Sequence, residues 1–185
     1  MNQSKKNKSM ILISMFTAVL VVLSYIAIPL PFSPVSLTGQ TLGIMLIGSV
    51  LGPLEACISV VVYLLLGAVG LPVFSGGHSG LGSLFGPTGG FLFSFIFGVI
   101  IISLLKGDGK NIIRLAFANL IGGIIVVYLI GIPWLAIFLN LSYTKATVIG
   151  ALPFIPGDLI KVAIASISAA TLNKRLEIIN HNKEN

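Results

Sequence analysis

The feature that most limits what this chain can fold into is the spacing of its charges. Its 185 residues carry 11 Lys and Arg and 5 Asp and Glu, and most of these cluster at the two ends and in one stretch from Lys106 to Arg114. Long uncharged runs separate the clusters. Only 9% of the residues are charged and 56% are apolar, against about 25% charged in an ordinary soluble domain. With a mean hydropathy of +1.07, a water-soluble fold of this size has no way to hide its apolar surface. The runs read as membrane spans, since a helix that crosses a hydrocarbon core of about 30 Å needs roughly 20 apolar residues. The expected fold is an all-α membrane protein of six transmembrane helices. It forms one integral membrane domain over residues 1–185, with cytoplasmic tails at 1–9 and 173–185.

Met10 to Pro31 supplies the first span and ends in the Pro-rich break Pro29-Leu-Pro-Phe-Ser-Pro34. A polar entry at Thr38, Gln40 and Thr41 leads into a short second helix, Gln40 to Leu51. The turn Gly52-Pro53-Leu-Glu55 precedes a third, Ala56 to Val69. After a Gly/Ser-rich loop, Pro87 stands where a first helical turn places it and opens a fourth, Thr88 to Leu105. The fifth spans Ile112 to Ile132, and the sixth Thr147 to Leu172 with interruptions at Pro153 and Pro156-Gly157. Cytoplasmic segments keep an excess of Lys and Arg. With six spans and the N-terminus inside, Lys5, Lys6, Lys8, Lys106, Lys110, Arg114, Lys174, Arg175 and Lys183 all face the cytoplasm, leaving only Lys145 in an outer loop and Lys161 within a span.

Several function classes fall away. The basic residues have no interleaved aromatic platform and are split over three segments, so they mark topology and not nucleic-acid binding. The Lys-rich start and apolar run imitate a secretory signal, but the run exceeds the usual 7 to 15 residues and lacks a small-residue cleavage site, so a retained first helix is expected. Cys57 is the only cysteine, which rules out an internal disulfide and assigns it to packing. Gly107-Asp-Gly-Lys110 lacks the phosphate-loop spacing, and no means of hydrolysing ATP is visible. No internal repeat points to a transporter built from paired halves.

The most informative segment is Phe154-Ile-Pro-Gly-Asp158-Leu-Ile-Lys161 in the sixth span. Counting back from Leu172 at about 1.5 Å per residue puts Lys161 about 16 Å and Asp158 about 21 Å above the cytoplasmic end. A charge at such depth costs roughly 2.5 to 3.5 kcal/mol and normally faces a protein interior or a cavity. The i, i+3 spacing sets both on one helix face, as partners. They form either an ion pair that pins the last helix or one wall of a polar ligand pocket. The same counting puts Tyr128, Gln40 and Thr88 at about 21, 22 and 27 Å, so four helices bring polar groups to the outer half. Asn119, at about 8 Å, lies deeper toward the cytoplasm.

The segment Ser75-Gly-Gly-His-Ser-Gly-Leu-Gly-Ser-Leu-Phe-Gly-Pro87-Thr-Gly-Gly-Phe91 fails as a nucleotide fingerprint, because its glycines lack the G-x-G-x-x-G spacing. It reads as a flexible outer loop that closes over a site, with Gly89 and Gly90 allowing close approach of a helix or ligand. His78 has no second His, Cys or carboxylate nearby, so it offers a loop hydrogen bond and no metal site.

Gly86-Pro-Thr-Gly-Gly-Phe91, Phe154-Ile-Pro-Gly-Asp-Leu-Ile-Lys161 and six short spans with both termini inside resemble the BioY family, the biotin-capturing S components of energy-coupling factor (ECF) transporters. The resemblance covers nearly the whole chain. It implies a high-affinity biotin-binding subunit in a prokaryotic cell membrane, without cofactor, that works with a transmembrane coupling protein and two cytoplasmic ATPases. The ligand residues it suggests are Asp158, Lys161, Tyr128, Gln40, Thr88, Gly90 and Phe91, then Asn119, Phe74 and His78. Ser14 and Ala18 match the small-x-x-x-small docking surface of the first helix. Competing readings are an S component for another vitamin and a membrane-embedded enzyme using Asp158 and Lys161, although no nucleophile and base constellation accompanies the pair.

Overall fold

A computed structural model of the chain describes residues 3–181; Lys183 lies outside them. The described residues are helical almost throughout. Helix α1 (Gln3–Ser24) leads into an antiparallel pair, β1 (Ala27–Ile28) and β2 (Leu37–Thr38), in which Ala27 faces Thr38 and Ile28 faces Leu37. Then come α2 (Gln40–Val50), α3 (Pro53–Ala68), the short α4 (Leu81–Leu84) and α5 (Gly89–Leu105). Helix α6 (Ile112–Leu120) runs through a π turn, Ile121–Ile125, into α7 (Val126–Leu139); α8 (Tyr143–Gly150) and α9 (Ile155–His181) complete the order.

Local signals set many of these boundaries. Pro53 occupies the first turn of α3, and the Gly52 N–H donates to Glu55 Oε2 at 3.3 Å. Asn111 caps α6 by accepting from the N–H groups of Ile113 and Arg114 at 3.0 and 3.2 Å. Asn140 ends α7 in the left-handed conformation at φ 52°.

Three boundaries differ from the sequence expectation. The first helix begins at Gln3 and stops at Ser24, because the chain turns into the β pair before the prolines are reached. The fifth continues to Leu139 through Pro133. The sixth is two helices: Pro153 lies in the turn between α8 and α9, whereas Pro156 falls in the first turn of α9, where its missing N–H breaks no bond.

Lys6–Ser24, Ile112–Leu139 and Ile155–Leu176 are long and apolar enough to cross a bilayer, and Gln40–Val50, Pro53–Ala68 and Gly89–Leu105 are shorter apolar helices. The protein is a multi-pass membrane protein. Helices α2 and α5 hold the centre: α5 packs on α2, α3 and α7, while α2 also packs on α1 and α9. Leu20, Ile44, Val60, Tyr63 and Val99 fill the interior completely. Exposed Leu54, Leu65, Leu129, Ile137 and Ile160 make the outer surface apolar, as lipid requires.

Backbone contact between α5 and the π turn depends on glycine. A Cβ on Gly122 would lie 2.6 Å from the Gly98 carbonyl oxygen, and one on Gly98 would lie 2.8 Å from that of Gly122. Around Asn119 and Asn173, polar groups join helices. Ser49 donates to Asn119 Oδ1 at 3.0 Å, Asn119 Nδ2 to Ser166 at 3.1 Å, and Asn173 to the carbonyls of Ser49 and Gly109 at 3.0 and 2.8 Å. Such bonds are worth about 0.6 kcal/mol each in a bilayer. At the end of α5, Lys106 donates to the Leu51 carbonyl at 2.5 Å, and burial pushes its ammonium down to about 8 despite the opposing pull of Glu55.

Candidate functional site

A cavity of about 310 Å³ opens between α2, α5, α7 and α9, within the range of about 300–1,000 Å³ usual for small-molecule sites. Its base is polar. Lys161 lies 2.9 Å from Asp158 Oδ1, with the two side chains 14% and 3% exposed. Thr41, on α2, stands between the charges: its hydroxyl donates to Asp158 Oδ1 at 3.1 Å and accepts from Lys161 at 2.8 Å. The third ammonium proton of Lys161 goes to the Thr38 carbonyl at 2.7 Å. Tyr128 donates to Asp158 Oδ2 at 2.5 Å. An ionised carboxylate has about four acceptor positions, so one on Oδ2 stays open while the ammonium is fully engaged.

Gln40 completes the base. Its Nε2 donates to Tyr63 at 2.6 Å and its Oε1 accepts from Thr38 at 3.1 Å, leaving one amide proton for a ligand. The walls are aromatic, from Phe74, Phe91, Phe95 and Phe154. Phe91 meets Tyr128 edge-on at 6.4 Å, and Phe74 meets Tyr63 edge-on at 5.5 Å. Toward the opening stand Pro34, Ser36, Ser75, His78, Gly82 and Thr88, of which Pro34, His78 and Gly82 are exposed. His78 Nδ1 contacts the Ser75 carbonyl at 2.6 Å. Trp134 holds the adjoining loop by donating to the Gly86 carbonyl at 2.9 Å.

The π turn explains why Tyr128 faces this cavity. On an unbroken α-helix, nine residues beyond the fully buried Asn119 would point Tyr128 about 180° away, toward lipid. The extra residue of the π turn removes about 100° of that rotation and brings both side chains inward.

Of the residues suggested by the sequence, Asp158, Lys161, Tyr128, Gln40, Thr88, Phe91, Phe74 and His78 line this one cavity. Two do not. Asn119 is spent on the bonds to Ser49 and Ser166. Gly90 serves packing, since a Cβ there would lie 2.3 Å from Trp134 Cβ. Ser14 and Ala18 are exposed on α1. Thr41, Thr38 and Tyr63 supply hydrogen bonds at the base of the cavity that the sequence did not disclose. Thr38 and Thr41 stood out only as a polar helix entry, and nothing in the sequence marks Tyr63 among its apolar neighbours.

A cavity with a charged base and aromatic walls, between apolar helices long enough in part to cross a bilayer, defines a small-molecule-binding membrane protein. Sequence comparison narrows the class. A profile of the BioY family matches residues 1–178, and the chain belongs to that family. It is 41% identical to the biotin transporter BioY of Rhizobium etli over 86% of this chain and 90% of that one. It is 37% identical to biotin transporter BioY2 of Lactococcus lactis over 96% and 97% of the two chains. It also superposes on the crystal structure of the S component for biotin from an ECF-type ABC transporter with TM-score 0.88, at 33% identity and covering 94% and 95% of the two chains. These relatives are transport proteins, not enzymes.

The burial of the ion pair yields a stability prediction. Lys161→Met strands a nearly buried carboxylate and costs about 3 kcal/mol, whereas Asp158→Asn combined with Lys161→Met removes both charges and costs less. Thermal melting of the purified variants in detergent measures this. A double variant less stable than Lys161→Met contradicts it.

Proposed function

We propose that the chain is the biotin-binding S component of an ECF-type importer. It captures biotin at the outer face of a prokaryotic cell membrane and delivers it across with a transmembrane coupling protein and two cytoplasmic ATPases. The observation that carries this reading is the Asp158 cluster: a desolvated carboxylate with one acceptor position open, in an aromatic cavity, in a chain of the BioY family. Biotin has a ureido ring with two N–H donors and one carbonyl. Asp158 Oδ2 accepts from one N–H, the Tyr128 oxygen accepts from the other, and the spare Gln40 amide proton goes to the carbonyl. Hydrogen bonds to a charged acceptor are about twice as strong as neutral ones. A ligand without the ureido group leaves these buried groups unpaired, which is how the site rejects it. Phe74 and Phe91 pack on the thiophane ring and the acyl chain.

The six apolar helical stretches form six spans with both ends cytoplasmic, a reading supported by Lys106, Lys110, Arg114, Lys174 and Arg175 falling on one side. The 11 residues of α2 cover only about 16 Å. The β1–β2 hairpin precedes it and pairs Ala27 with Thr38 and Ile28 with Leu37, as backbone at membrane depth must be paired. The exposed Ser14 and Ala18 side of α1 is the surface for the coupling protein, where small residues let helices approach closely.

Calorimetry tests the function. One-to-one biotin binding by the purified chain, weakened at least tenfold by Asp158→Asn at a temperature where melting shows the variant still folded, is the expected result; equal affinity in the variant would make Asp158 structural. Topology is tested on a Cys57→Ser background. An impermeant maleimide added to intact cells is expected to label Lys145→Cys and spare Asp108→Cys, and the reverse pattern inverts the orientation.

A further inference from the structure

The charges of the cavity are balanced before a ligand enters. Among the described residues that line it, Lys161 is the only Lys or Arg. Its three protons are committed to Asp158, Thr41 and the Thr38 carbonyl at 2.9, 2.8 and 2.7 Å. No fixed cation remains for a ligand anion. A carboxylate at the base would meet Asp158 in a desolvated site, where like charges repel strongly. The base therefore receives the neutral end of the ligand, and a carboxylate-bearing tail points to the opening.

Apart from Asp158 and Lys161 at the base, no Lys, Arg, Asp or Glu lines the cavity among the described residues. Ser36 and Ser75 offer hydroxyls, and His78 is held by its contact with the Ser75 carbonyl at 2.6 Å. A carbonyl oxygen only accepts, so Nδ1 donates there and is not free for a ligand anion. The exposure of Pro34, His78 and Gly82 leaves the tail in contact with water, where loss of its charge carries little desolvation difference.

From this arrangement we infer that the site takes biotin capped at its carboxyl group, a neutral biotin amide, about as well as it takes biotin. The substrate class is defined by the ureido head and not by the anionic tail. The inference rests on the biotin reading above, and the experiment separates the two. Biotin and biotinamide are titrated in parallel into the purified full-length protein. Biotinamide binding within tenfold of biotin is the expected result. Biotin binding with biotinamide weaker by more than tenfold overturns the inference and leaves the biotin reading intact, because the charge of the tail is then recognised. Failure of biotin itself to bind a folded protein overturns both.

Discussion

The structure is organised around an ion pair set deep in an apolar body. Two charges nearly sealed from water are tolerable only when each is paired and its remaining hydrogen-bonding positions are filled. Asp158 and Lys161 meet that condition in all but one acceptor position on Asp158 Oδ2, by drawing on three other elements: Thr41 from α2, Tyr128 from α7 and the Thr38 carbonyl at the end of the β pair. Each of those elements has to stand where it does for the pair to be neutralised. The cost of burying the charges and the placement of α2, α7 and α9 around the cavity are thus one constraint.

The remaining features serve that arrangement. Gly98 and Gly122 let α5 and the π turn touch backbone to backbone, and the extra residue of the π turn aims Tyr128 inward. Pro156 opens α9 so that Asp158 falls in its first turn, where the helix dipole favours a negative charge. The Asn119, Ser49 and Ser166 network ties α2, α6 and α9 together below the cavity. Polar groups here are divided along the bundle: those around Asn119 satisfy one another, and those around Asp158 keep an open acceptor and donor.

Much of this was legible in the sequence because the membrane constrains it so strongly. Charge spacing marked the apolar helices, and depth counting grouped Tyr128, Gln40, Thr88, Asp158 and Lys161, which line one cavity, while setting Asn119 apart. What stayed hidden depended on contacts between distant segments. Gly90 looked like a ligand contact because nothing in the chain discloses that Trp134 lies against it. Thr41 carries no signature until α2 and α9 are side by side, since a threonine near a helix start is common. The π turn was foreshadowed only by the pair Gly122-Gly123, and its effect on Tyr128 is a matter of rotation along one helix. Pro153 and Pro156 looked equivalent, yet one lies between helices and the other starts one.

The central claim is that Asp158 accepts a hydrogen bond from the ureido group of biotin. The most direct measurement is the proton NMR spectrum of biotin labelled with nitrogen-15 in both ureido positions, bound to the purified protein. Two distinct N–H signals are expected, one of them shifted strongly downfield by the carboxylate and returned toward the free position in the Asp158→Asn variant. Two bound N–H signals that match free biotin and ignore that substitution would contradict it.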